Sequence, residues 1–193
     1  LRAAPRGAVD AALGWLERSE YVTYASRSAR GLVNQGWKDS HDAIMHEDGE
    51  LAIGPIALVE VQGYKYAALR GIADVLDTQG RADDARRLRA SADRLREKFL
   101  RDFWMEDEGY CALAPDGDGA PCRVISSNPA HALWTGLLPP DRAEPIAKRL
   151  LGTAMFSGWG VRTLGVRGRR YNPMSYHDGS VWPHDTAVAA GGL

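Results

Sequence analysis

Apolar side chains recur every three or four residues along most of the chain, a spacing that predicts α-helices. A short amphipathic helix is predicted over residues 8–18. A longer helix is predicted from Pro55, which suits a first helical turn, to Gly80, which suits the position after a last turn. The first half of this helix is apolar nearly all round, so we expect it to be buried on both sides.

The next predicted helix, residues 81–104, has the opposite character. Most of its positions are charged, and it carries a single apolar stripe formed by Ala85, Leu88, Ala92, Leu95, Phe99 and Phe103. The same alternation returns with a helix over residues 130–138, which follows a cap and a proline, and an amphipathic helix over residues 141–151. A buried helix followed each time by an amphipathic one predicts an all-α fold with two concentric layers.

The remaining segments are predicted as loops and hairpins. Residues 109–125 are predicted to form a hairpin, in which Cys111 and Cys122 could face each other; two free thiols are expected rather than a disulfide. Residues 158–171 form a loop or a second hairpin. Residues 21–42 are a long stretch without periodicity, which a compact domain seldom contains unless the loop is functional.

Composition and charge narrow the possible partners. Apolar residues make up 45% and charged residues 25% of the 193 residues, values typical of a globular protein. With 24 basic and 25 acidic side chains the net charge is −1, so we expect neither nucleic acid nor an anionic membrane surface as a partner. No signal-like leader or spanning apolar run is present, so a cytoplasmic location is expected. The expected ligand is neutral, and no cofactor is expected.

Polar and aromatic side chains are concentrated in two segments. Residues 34–42 contain no aliphatic side chain but hold amides, an indole, an ammonium group, an imidazole and two carboxylates. Such a loop suits the rim of a pocket that binds hydroxyl groups. An ordinary polar loop with one buried Trp would have the same composition. Residues 171–185 form the second cluster. Its two His-Asp pairs could suggest metal ligands, but no spacing elsewhere completes a set, so no metal site is predicted.

Four motifs occur in a fixed order along residues 30–190. They are Asn34-Gln35-Gly36-Trp37-Lys38-Asp39-Ser40, then Pro55-Ile56-Ala57 with Glu60-Val61-Gln62-Gly63-Tyr64, then Ser127-Asn128-Pro129 with Leu133-Trp134, and finally Tyr171-Asn172-Pro173 with residues 176–185. Together they resemble the catalytic domain of bacterial amylo-α-1,6-glucosidase (glycogen debranching-like) proteins, which are related to trehalase and mannosylglycerate hydrolase types. One departure is Asp178, where many relatives have Asn.

The resemblance implies an (α/α)6 barrel that hydrolyses α-linked glucosides with inversion of configuration. It implies Asp39 as the general acid, and it puts the general base on a Glu in a later motif that residues 1–193 do not include. We therefore expect a single domain over residues 1–193 that is an incomplete barrel, inactive by itself and prone to self-association. The expected partner is an oligosaccharide or small glycoside.

The site residues expected from this resemblance fall in the four motifs. The candidates for substrate binding are Gln35, Trp37, Lys38, Asp42, Glu60, Gln62, Trp134, His177, Trp182, His184 and Asp185. As an acid Asp39 needs desolvation or a negative neighbour, and Asp42 and Glu60 are the candidates for that neighbour. Lys38 would oppose such a shift, so it is expected to point away or to contact sugar.

Two further expectations concern geometry. Asp39, Gln62, Trp134, Trp182 and His184 are expected to converge on one concave surface, because they lie where polar clusters precede or interrupt the inner helices. Glu60, on a helix that is otherwise apolar, is expected to be buried and hydrogen-bonded. Two other functions stay open at this point: a sugar-recognising helical barrel without hydrolysis, and an epimerase or lyase on the same kind of toroid.

Overall fold

A computed structural model describes residues 6–28 and 30–193. Six α-helices and one short β-hairpin make up the regular structure of these residues. The elements are α1 (Arg6–Leu16), α2 (Val59–Thr78), α3 (Ala82–Phe103), β1 (Trp104–Met105), β2 (Tyr110–Cys111), α4 (Pro129–Trp134), α5 (Pro140–Leu151) and α6 (Pro183–Gly192). Within those ranges, no helix has both the length and the apolar character needed to cross a membrane.

The helices form two layers. Helix α4 contacts both α2 and α6, so these three helices lie side by side in an inner layer, while α3 packs on α2 and α5 packs on α4 from outside. The six stripe residues predicted for α3 are the six that it buries, which confirms the amphipathic pattern. The predicted alternation of inner and outer helices is therefore confirmed, and the described residues form part of an (α/α)6 barrel.

Helix α2 begins later than the sequence pattern predicts. The helix was expected from Pro55, but residues 56–58 are extended because their backbone groups bond to other segments. Ile56 exchanges two hydrogen bonds with Tyr24, at 3.0 and 2.8 Å, and the N–H groups of Ala57 and Val59 donate to the carbonyls of Pro115 and Leu113. Tertiary pairing thus overrides the local helical preference. At the other end, Gly80 adopts a φ of 74° just after the helix, as its position predicted.

The hairpin region holds two pairings. Strands β1 and β2 pair antiparallel, and a second antiparallel pairing surrounds the turn at residues 116–119. In that second pairing, the N–H of Cys122 donates to Ala114 O and its carbonyl accepts from Leu113 N–H. The expectation that Cys111 could face Cys122 is therefore wrong, because the register places residues 113 and 114 opposite Cys122. Both thiols are free and buried.

The shared core of α2 and α3 should be sensitive to loss of a ring. Phe99 is fully buried and stacks on Phe103 with ring centroids 4.4 Å apart. We expect Phe99→Ala to lower the free energy of unfolding by about 3–5 kcal/mol, because a large buried ring is removed and a cavity is left. A urea melt followed by circular dichroism measures this change.

Phe156→Ala is the matched control, since Phe156 is 38% exposed. It should cost about 0.5 kcal/mol, as is usual for partly exposed positions. Equal urea midpoints for the two variants would contradict this assignment of the core.

Candidate active site

Trp37 lies at the centre of an aromatic cluster. Its ring stacks on that of His131, with centroids 5.9 Å apart. It also meets the rings of His177, Trp182 and His184 edge to face, at 5.3, 6.2 and 5.6 Å. These residues come from the loop before α2, from α4, from the segment that leads into α6, and from the first turn of α6. The two polar segments of the sequence are therefore neighbours in space.

Hydrogen bonds hold the first polar segment in this position. The buried side chain of Asn34 donates to the carbonyl of Ser40 at 2.7 Å and accepts from the hydroxyl of Tyr24 at 2.8 Å. The hydroxyl of Ser40 lies 3.0 Å from Nδ1 of His177, across 137 positions of sequence. Residues 34–40 are thus tied both to themselves and to the second polar segment.

Lys38 points into the protein. Its side chain is 2% exposed, its ammonium group donates to the carbonyl of Thr163 at 2.6 Å, and it lies 5.3 Å from the Trp37 ring. Burial lowers the pKa of Lys38 to about 8, against the opposing effects of Asp185, Glu60 and Asp178. The expectation that Lys38 points away is therefore wrong, because buried acceptors and carboxylates attract its charge inward. Contact of Lys38 with sugar stays a prediction.

Glu60 is buried, as its place on an apolar helix predicted. One carboxyl oxygen accepts from the amide of Asn128 at 3.0 Å, and the other has no partner among the described residues. A Cβ at Gly36 would lie 2.9 Å from that second oxygen, so the loop can rest on Glu60 only with glycine at this position. Burial raises the pKa of Glu60, while His131, Asn128 and Lys38 lower it.

Two of the expected residues do not join the cluster around Trp37. Gln62 is fully buried and bonds to both backbone groups of Val22 and to the carbonyl of Leu58, at 2.9–3.0 Å. It points elsewhere because two residues along a helix turn a side chain by about 200° from that of Glu60. Trp134 ends α4, is 55% exposed, and lies against Gly191 of α6.

The carboxylates of the first segment lie on the outer side of the cluster. Asp39 is exposed, and Asp42 is half-buried. Burial lowers the pKa of His177, as does Lys38, while Asp39 and Asp42 oppose this shift. His177 is therefore neutral near pH 7. The described residues leave Asp39 open to solvent and do not supply the desolvation that an acid requires. Gln35 is exposed and bonds weakly to the carbonyl of Ala25 at 3.4 Å.

Asp178 is buried beside His177 in the second segment. Burial, together with the charge of Asp42, raises the pKa of Asp178 to about 6, against the effects of Lys38 and Arg170. With this pKa Asp178 is mostly ionised at pH 7, so it carries a negative charge where many relatives of the resembled family have a neutral Asn.

Two residues beside the cluster, Tyr64 and His131, were not among those predicted from the sequence. The Tyr64 hydroxyl lies 2.5 Å from Nδ1 of His131, and Nε2 of His131 lies 3.1 Å from a carboxyl oxygen of Asp185. The signal available in the sequence was a histidine on an otherwise apolar inner helix. Glu60, His131 and Asp185 all lie in first turns of inner helices, where the helix N–H groups favour negative charge.

In the parts of the chain that the structure covers, no three His, Cys, Asp or Glu side chains are grouped as metal ligands.

Removing the Glu60 carboxyl should destabilise the fold. We expect Glu60→Ala to lower the free energy of unfolding by about 1–3 kcal/mol, because the buried amide of Asn128 loses its acceptor. A urea melt measures this loss, and a midpoint equal to that of wild type would contradict it.

Glu60→Gln serves as the matched variant, since its amide oxygen still accepts from Asn128. Because the pKa of Glu60 is raised in the folded state, its contribution to stability is fully present below the unfolded-state pKa of about 4.3. This contribution is lost as the pH rises through the folded-state pKa. We expect Glu60→Gln to lose less stability than Glu60→Ala and to lack this pH dependence.

Comparison with known proteins identifies the family. Residues 8–193 match the family model described as the mannosylglycerate hydrolase MGH1-like glycoside hydrolase domain. A search of the curated proteins gives no match.

Three solved structures share the fold. A sialidase aligns with a TM-score of 0.71 at 16% identity, over 95% of this chain and 17% of its own. Neutral trehalase Nth1 from Saccharomyces cerevisiae aligns with a TM-score of 0.63 at 18% identity, over 80% of this chain and 30% of its own. The GH63 mannosylglycerate hydrolase from Thermus thermophilus, in complex with glucose, aligns with a TM-score of 0.60 at 18% identity, over 71% of this chain and 32% of its own.

The chain therefore spans at most a third of the length of these three structures. The relationship to (α/α)6 glycosidases that the four motifs implied is confirmed at the level of fold and family. The match over residues 8–193 means that the chain belongs to the mannosylglycerate hydrolase MGH1-like glycoside hydrolase domain family.

Proposed function

We propose that the chain is part of the catalytic domain of an inverting glycoside hydrolase that acts on α-linked glucosides. The observation that carries this proposal is the cluster in which Trp37 meets Trp182, His177 and His184 beside the exposed carboxyl of Asp39. Indole rings suit the C–H faces of sugars, and imidazoles suit their hydroxyl groups. Membership of a glycoside hydrolase family supports the same conclusion.

The choice of sugar rests on different evidence. The four sequence motifs favour an amylo-α-1,6-glucosidase, whereas the matched family and one structural neighbour are named for mannosylglycerate hydrolysis. The name of another neighbour indicates trehalose. We propose an α-linked glucoside as the substrate. The test also includes α-mannosides, because the glycosyl group that is cleaved off is uncharged in glucosides and mannosides alike.

In the proposed mechanism Asp39 is the general acid. It donates a proton to the glycosidic oxygen while that oxygen leaves the anomeric carbon. A carboxylate on the opposite face, which we assign to a Glu outside residues 1–193, takes a proton from the attacking water. The two carboxyl groups would lie about 6.5–9.5 Å apart, and the product has the inverted configuration. Water exclusion by other parts of the protein would supply the desolvation that Asp39 needs.

The remaining proposals concern domain organisation. We propose that residues 1–193 form one domain, a part of the barrel. Ile53, Trp159 and Met174 are 77%, 93% and 89% exposed, which is apolar surface that another part of a protein commonly covers. Self-association of the isolated segment is proposed on this basis.

The role of Asp39 can be tested with leaving groups of different basicity. In the full-length protein that carries this chain, we expect Asp39→Asn to lower kcat/KM by about 10²–10⁴ on the best of isomaltose, trehalose and α-mannosylglycerate. The loss should be far smaller on α-glucosyl fluoride or α-mannosyl fluoride, because fluoride leaves with little help from an acid.

Asp118→Asn is the matched control, because Asp118 is an exposed aspartate in the turn at residues 116–119. It should leave both rates unchanged. An equal loss on glycoside and fluoride would show that Asp39 acts in some other way, and no loss on either would contradict its assignment as the acid.

A further inference from the structure

A chain of hydrogen bonds crosses the inner layer of helices. It runs from the hydroxyl of Tyr64 on α2 to Nδ1 of His131 on α4, at 2.5 Å, and from Nε2 of His131 to Asp185 on α6, at 3.1 Å. His131 and Asp185 are fully buried, whereas Tyr64 is 37% exposed. This hydrogen-bond chain therefore begins at a fully buried carboxyl group and ends at a tyrosine that is partly exposed.

An imidazole can donate through either ring nitrogen, so the direction of these bonds follows from where its hydrogen lies. With an uncharged His131 beside a carboxylate, which can only accept, Nε2 carries the hydrogen and donates it to Asp185. In that arrangement Nδ1 is an acceptor, and the hydroxyl hydrogen of Tyr64 points at it. Since the one hydrogen of the phenol is committed to His131, the Tyr64 oxygen can offer a ligand only its lone pairs.

The position of Tyr64 places this oxygen at the edge of the candidate site. The Tyr64 ring lies 5.9 Å from that of His131, and the Trp37 ring lies 5.9 Å from the same imidazole. Burial, together with the charges of Glu60 and Asp185, raises the pKa of Tyr64, so the phenol stays protonated. The buried pair thus orients a neutral acceptor beside the aromatic cluster.

We propose that Tyr64 binds a sugar hydroxyl group as a hydrogen-bond acceptor, and that His131 and Asp185 are positioning residues that fix this polarity. The inference rests on the proposed function for the choice of ligand and adds a specificity-determining residue to the site. Tyr64 selects for a ligand group that can donate a hydrogen bond. It discriminates against a group that can only accept a hydrogen bond.

Fluorinated sugars test this polarity, because C–F cannot donate. The measurement is calorimetric titration of the full-length protein with methyl α-D-glucopyranoside and methyl α-D-mannopyranoside, and with their monodeoxy and monodeoxyfluoro analogues. At one ring position, we expect both analogues to bind wild type about tenfold more weakly than the parent sugar, as loss of one hydrogen bond predicts. Tyr64→Phe should bind the parent sugar about tenfold more weakly and should lose the discrimination at that position.

Tyr66→Phe is the matched control. Tyr66 lies on the same helix, and its hydroxyl bonds to Arg96 instead of to the site. This variant should keep the wild-type discrimination at every ring position. If Tyr64→Phe also keeps it, the proposed role of Tyr64 is overturned.

Asp185→Asn should reverse the direction of the hydrogen bonds that link Asp185, His131 and Tyr64. The ammonium group of Lys38, which interacts electrostatically with Asp185, attracts the amide oxygen and leaves the amide nitrogen to donate to His131. The imidazole hydrogen then moves to Nδ1 and is donated to Tyr64, whose own hydrogen becomes free. The deoxyfluoro analogue should now bind better than the deoxy analogue, and an unchanged ratio of the two would overturn the positioning role. This variant also tests the proposal if Tyr64→Phe does not fold.

The outcomes separate this inference from the proposed function. Sugar binding that discriminates through Tyr64, without hydrolysis by wild type, would overturn the hydrolase proposal and leave the inference standing. Hydrolysis by wild type with discrimination that does not depend on Tyr64 would do the reverse. Absence of binding by all the sugars would overturn the inference.

Discussion

The buried ammonium group of Lys38 is the interaction on which the arrangement of the site depends. It is held by the carbonyl of Thr163 and lies in the field of three buried carboxyl groups, those of Glu60, Asp178 and Asp185. Buried carboxylates are costly unless a positive charge is near, and a buried ammonium is costly unless acceptors surround it. Because Lys38 points inward, its neighbour Asp39 is left exposed on the outer side.

The inner helices supply the other half of this arrangement. Glu60, His131 and Asp185 come from the first turns of α2, α4 and α6, so three helix beginnings meet beneath Trp37. The free N–H groups at these ends favour negative charge, which offsets part of the cost of burying two carboxyl groups there. Hydrogen-bonded polar side chains beneath an aromatic ring suit a neutral, hydroxyl-rich ligand.

Periodicity and motifs predicted different parts of this structure with different success. The stripe on α3 was readable because burial of a helix face leaves a regular mark in the sequence. The two polar segments could be brought together only through the resemblance of their motifs to a family. The start of α2 could not be predicted, since the pairing of Ile56 with Tyr24 depends on contacts across the fold. The inward direction of Lys38 depends on Thr163, 125 residues away, and no local pattern indicates that partner.

We propose that the two polar segments form one sugar site around Trp37 with Asp39 as its acid. A crystal structure of the full-length protein with a thio-linked, uncleaved analogue of its substrate tests this claim most directly. We predict a sugar ring within about 4.5 Å of the Trp37 or Trp182 ring and a carboxyl oxygen of Asp39 facing the sulfur in place of the glycosidic oxygen. A sugar bound away from both rings, or a different carboxyl group facing the sulfur, would contradict the account.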